Sequence, residues 1–288
     1  MNPPRQTRES TGFLQRYHAN EIFLQQKPYS FSLFANKGIS LRNSDFLNRV
    51  EVDSQELGGR AGYREGPVPF NLTAKHREET ATGLWTSSKL SENTAALDAH
   101  NERGPGNATT FSYTLNEFTR KDQTSGFGPN QLVSNEQAFA QRGVNHSANV
   151  LDNEAFGEAQ WMKLDSSLFF NALNDLGARP TSSYSLSDSE RFRLEHSPTL
   201  ETFYDYGFDA AASGAVETDG HRGKASVQHK LYESLVSTLD VHGDTSKTTA
   251  PGGLSQEMFR VGVGLNENYT KRLSTWGEVN IGYSGRMD

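Results

Sequence analysis

Odd and even positions differ along much of this chain. In Tyr29-Ser30-Phe31-Ser32-Leu33-Phe34-Ala35-Asn36 the odd positions are apolar and the even ones polar, with Phe34 the exception. The same alternation runs through Phe70 to Lys75, Phe111 to Asn116 and Tyr204 to Ala210, and returns in Phe259 to Asn266 and Val279 to Ser284. Side chains of a strand point to opposite faces in turn, so each segment predicts a strand with one apolar and one polar face. The run Val227, Leu231, Leu235, Leu239 fits either period, and the β-branched Val236, Thr238 and Val241 favour strand. Helical signal is weak; Ser134 to Gln141 and Glu154 to Leu164 are the two segments that admit a short helix.

A longer rhythm overlies the strands. Pro28-Tyr29-Ser30-Phe31 is echoed by Pro69-Phe70-Asn71-Leu72, and Pro198 to Thr202, Tyr232 to Ser237 and Tyr269 to Ser274 resemble one another. The repeat suits two strands, one tight turn and one longer loop. Tight turns are expected near Pro28, Pro67, Pro105, Asp152, Pro198, Tyr232 and Thr270. Longer loops are expected over Ser213 to Gly223 and Gly243 to Ser255, where Asp219-Gly220 and Pro251-Gly252-Gly253 act as breakers. Seven tight turns predict an all-β, up-and-down antiparallel meander of about 14 strands, each of about ten residues.

Such a meander must place its apolar face somewhere. Across 288 residues, Leu, Ile, Val and Phe together number 59, thin for the core between two packed sheets. In a transmembrane β-barrel only the lipid side needs to be apolar, which suits a mean hydropathy of −0.69. The expected fold is therefore a transmembrane barrel or a large part of one, over residues 13–288, preceded by a disordered segment at 1–12. No stretch is long and apolar enough for a membrane helix. With no cysteine, thiol chemistry and disulfides are excluded. A net charge of −7 and a pI near 5.7 argue against a nucleic-acid partner.

The alternating strands, the recurring Pro-aromatic and Tyr-x-x-Leu turns, and segments such as Phe203 to Ala212 and Arg260 to Gly285 resemble the porin-like outer-membrane β-barrels of Gram-negative bacteria. The resemblance implies an outer-membrane location, lipid as the chief partner alongside other barrel or periplasmic components, and a passive pore or structural conduit without a cofactor. Two departures point to a truncated or fragmentary chain. Met1-Asn2-Pro3-Pro4-Arg5 opens without an apolar signal region, and Gly285-Arg286-Met287-Asp288 lacks the terminal aromatic typical of the class. Lumen-facing candidates are Asp205, Asp209, Lys230 and Arg260, whose field would bias solute passage. Tyr29, Tyr63, Phe70, Tyr204, Tyr232, Tyr269 and Trp276 are candidates for an aromatic girdle, because amphipathic rings favour the membrane–water interface.

No catalytic motif or metal-ligand set is present, and no enzymatic role is expected. Gly262-Val263-Gly264 lies inside an alternating strand and lacks the third glycine of a dinucleotide fingerprint. Asp219/His221 and Asp98/His100 each put a carboxylate two residues from an imidazole, which suits solvated polar positions better than a dyad. Two rivals remain: a soluble secreted all-β protein that binds or cleaves carbohydrate, and an outer-membrane barrel enzyme using Asp and His groups.

Overall fold

A computed structural model describes residues 15–44, 48–83, 86–126, 135–157, 159–177, 180–232, 234–272 and 278–287. It forms one antiparallel sheet with strands in chain order. In the first half run β1 (Gln15–Phe23), β2 (Tyr29–Ser44), β3 (Asn48–Tyr63), β4 (Phe70–Thr82), β5 (Thr86–Gly104), β6 (Asn107–Gly126) and β7 (Asn135–Phe156). The second half comprises β8 (Met162–Asp175), β9 (Thr181–Ser197), β10 (Leu200–Ser213), β11 (Val216–Tyr232), β12 (Leu235–Ala250), β13 (Leu254–Arg272) and β14 (Glu278–Met287). Among the described residues there is no helix, and the edge strands β1 and β14 do not pair.

Cross-strand partners share a face, so the register sorts every side chain. Tyr204 lies opposite Phe192 and Ala225, and Val241 lies between Ala225 and Val263. That row belongs to the apolar face. One residue along, Asp205 lies opposite Arg191 and Lys224, on the polar face. Tyr204, Tyr206, Val261, Val263 and Leu265 are exposed on the apolar face and Phe208 is half-buried there. Asp205, Asp209 and Arg260 take the other side. Among the described residues no second sheet packs on either face, and the one buried large apolar side chain is Val52, 3% exposed.

The fourteen strands and most of the turns agree with the repeat, and four details differ. Ser213 to Gly223 and Gly243 to Ser255 are not loops. Gly214-Ala215 alone joins β10 to β11, and 251–253 joins β12 to β13, with Gly214, Gly252 and Gly253 at positive φ. These stretches look like loops in sequence because both of their faces are polar, which erases the alternation while leaving the ladder intact. For the same reason the strands are longer than ten residues, reaching 22 in β7. The turn expected at Asp152 falls after Phe156, and the segments that admitted helices are strand or turn wherever they are described. The connections near Pro28, Pro67, Pro105 and Pro198 and that after Tyr232 lie at one end of the sheet, with Gly214-Ala215 and 251–253 at the other. The connection after Thr270 spans 273–277, and these residues, like residues 1–14, lie outside the described ones.

Candidate functional site

The polar face is where the chain concentrates its chemistry. All four lumen candidates lie on it, and each is matched by an opposite charge. The Arg191 guanidinium donates to Asp205 at 2.6 Å, and Arg222 reaches Asp209 at 3.1 Å. Arg260 donates to Asp244 at 3.0 Å, and the Lys230 ammonium lies 3.7 Å from Glu201. These pairs form because a strand places a charged residue every second position, and the register sets opposite signs side by side or one diagonal step apart. Lys224 and Asp240 continue the pattern at 3.7 Å. Asp205, Arg222, Lys224, Asp240, His242 and Asp244 line one hollow over β10 to β13.

Glycines shape this surface. Arg222 lies over Gly207, and a Cβ at Gly264 would come within 2.6 Å of Asp240 Oδ1. In the first half of the sheet, Phe34 covers Gly58 and Phe118 covers Gly143; a Cβ would meet those rings at 2.6 and 2.7 Å. Phe34, the break in the alternation of β2, is therefore an aromatic on the polar face that fills the space a glycine leaves. The Arg60 guanidinium sits 5.3 Å from its ring centroid.

Neither Asp-x-His pair singled out in sequence forms a contact of its own. His221 bonds the Tyr206 hydroxyl at 2.9 Å on the apolar face, and His100 bonds Thr110 at 3.0 Å and Glu102 at 3.1 Å on the polar face. The same spacing at Asp240-Val241-His242 does give a carboxylate–imidazole bond, Asp240 Oδ2 to His242 Nδ1 at 3.0 Å. Spacing alone could not separate these three cases, since the cross-strand neighbours decide whether the imidazole turns along its strand or across it. Among the described residues no group of three His, Asp or Glu is arranged to hold a metal ion.

The girdle candidates among the described residues lie on the apolar face at different heights. Tyr29, Tyr63 and Phe70 are successive cross-strand partners, the last two with ring centroids 6.1 Å apart. Tyr232 ends β11, and Tyr269 lies opposite Leu235 and Ile281. Tyr204 sits four residues into β10, and Trp276 lies outside the described residues. Phe23 and Trp161 stand near the same short turns; their closeness to the Pro-marked turns was the available signal for them.

No family model matches the chain, and no curated protein sequence matches it. Solved structures do. The siderophore receptor PirA from Acinetobacter baumannii superposes with a TM-score of 0.51 over 97% of this chain at 10% identity. The ferric-catecholate import receptor Fiu from E. coli K12 gives 0.52 over 96% at 8% identity. This chain spans 60% of the first and 68% of the second. An open sheet of fourteen up-and-down strands, apolar on one face and laced with ion pairs on the other, has the fold of the bacterial outer-membrane β-barrels.

Proposed function

We propose that this chain forms wall of a wide outer-membrane conduit, with its apolar face against lipid and its polar face along a passage for hydrated solutes. The observation that carries this reading is the uncovered apolar face. Side chains such as Val261, Val263, Leu265 and Tyr206 are 40–51% exposed, and no second sheet lies against them. An apolar surface this large in water would drive association, whereas a bilayer accepts it. A soluble carbohydrate-binding sandwich would have packed the same residues between two sheets.

The width of the passage follows from the strands. Fourteen strands leave the edges apart among the described residues, and open aqueous lumens belong to barrels of roughly 16–18 strands or more. Superposition on two receptors, each longer than this chain, supports a large bore; one is a siderophore receptor and the other a ferric-catecholate import receptor. The role proposed here is passage without catalysis. Refolding into phosphatidylcholine vesicles, followed by swelling assays with sugars of increasing size, tests it. Flotation with the vesicles and size-dependent swelling are expected; a monomer soluble without detergent would overturn the reading.

A further inference from the structure

Ion pairs run along much of the polar face, and one window in it carries no charge. Over 110–116 of β6, 145–151 of β7, 167–173 of β8 and 183–189 of β9, every polar-face side chain is Ser, Thr or Asn except Leu151, Phe169 and Leu173. Charge frames the window on all sides. Asp165 and Arg191 border it towards the Pro-marked turns, Asp175 at the opposite end, and Asp98 and Asp209 at the flanks. Strand spacing and rise make it about 15 by 20 Å, the footprint of a short oligosaccharide.

Phe169 stands in the middle of this window. It lies opposite Asn149 and Ser187 and one diagonal step from Leu151. Phe169 is 43% exposed and Leu151 41%. Phe34 and Phe118, on the same face, lie over glycines, whereas the cross-strand neighbours of Phe169 carry side chains, and its ring projects from the wall. A ring held in water gains no packing that would account for it. The groups around it both donate and accept. Asn171 donates to Asn145 at 3.1 Å and Ser187 to Asp209 at 2.7 Å, and each keeps an oxygen able to accept.

A pyranose has the matching surface, an apolar C–H face that stacks on a ring, rimmed by hydroxyls that donate and accept. A charged solute would meet no counter-charge inside the window and would lose hydration on entering it. We propose that this window binds neutral oligosaccharides, with Phe169 and Leu151 against the apolar face of a sugar ring and Asn149, Asn171 and Ser187 on its hydroxyls. That the site serves passage rests on the reading of the polar face as a conduit wall; binding itself does not.

Binding in detergent micelles and passage across vesicles test the two ideas apart. Titration calorimetry of the refolded chain compares maltotriose with the acidic trisaccharide trigalacturonate and with acetylated, amidated trialanine. Maltotriose should bind best. Phe169→Ala should weaken it roughly tenfold, and Phe169→Tyr, which keeps the ring, should retain it. Phe259→Ala removes a ring that is 72% exposed on the apolar face and should leave binding unchanged. Equal binding of the three ligands, or equal affinity of wild type and Phe169→Ala, would overturn the proposal. Vesicle swelling then reads passage. A chain that binds maltotriose yet swells vesicles with no sugar would overturn the conduit and leave the sugar site standing, while swelling without binding would do the reverse.

Discussion

At Gly58 and Gly223 the same residue type does opposite work. A Cβ on Gly58 would lie 2.6 Å from both the Ala74 carbonyl oxygen and the Phe34 ring, while one on Gly223 would meet nothing within 4 Å. The Phe34 ring can rotate away but the carbonyl belongs to a strand ladder. Gly58→Ala should therefore destabilise the sheet by about 1–3 kcal/mol, and Gly223→Ala should be neutral or gain up to about 1 kcal/mol from a stiffer unfolded chain. Urea unfolding in vesicles of the two variants checks this pair. Position 263 tests the face. Val263 is 44% exposed on the apolar side, so Val263→Arg should cost about 2–4 kcal/mol near the bilayer midplane and 0–1 near an interface. Gly264 faces the other way, against Asp240; there the cost of an arginine is set by room and by competition with Lys224 and His242 for the same carboxylate.

Strands carry two regimes along their length. In the half near the Pro-marked turns, β6 alternates cleanly through Phe111, Tyr113 and Leu115, and beyond it Glu117, Thr119 and Lys121 occupy the same face. β11 behaves alike, with Val227 and Leu231 near one end and Glu217, Asp219 and His221 near the other. In lipid, amides of 216–222 should exchange with deuterium well before those of 224–231, because only the latter are covered by hydrocarbon on one side; mass spectrometry of peptic fragments would show the order, and uniform protection along β11 would contradict it. This division also explains what could be read from sequence. Segments such as Phe70 to Lys75 declare strand, face and direction at once, since lipid on one side and water on the other impose the alternation. Ser213 to Gly223 declares nothing, because water on both sides accepts any polar residue and Asp219-Gly220 then looks like a break. Of the candidate site, the face of Asp205, Asp209, Lys230 and Arg260 was legible from parity alone. Their partners were not, because Arg191 meets Asp205 through a register that no local pattern encodes. Asp188 and Glu190 also break the pattern, two acids on the apolar face of β9 beside Phe208 and Tyr206.

For the molecule as a whole, the matched charges of the polar face predict that the proposed conduit would have little preference for ion sign. Asp205→Asn would leave Arg191 without its carboxylate. It should change stability by no more than about 1 kcal/mol, since the pair is solvent-exposed, and should shift the reversal potential of reconstituted channels toward anions. Asp205→Asn combined with Arg191→Gln should move it back. Planar-bilayer recordings in a salt gradient distinguish these outcomes, and an unchanged potential in both variants would remove β9 and β10 from the conducting wall.

The rings that lie across Gly58 and Gly143, and the guanidinium over Gly207, also determine how rough that wall is. A side chain laid flat in the hollow left by a missing Cβ adds little relief, so a solute moving through the proposed conduit would meet a nearly even surface. Filling the hollow beneath Phe34 would lift its ring into the stream and slow large solutes before small ones, with no change in charge. If the chain is the conduit proposed above, friction along it would be set by residues that have no side chain at all.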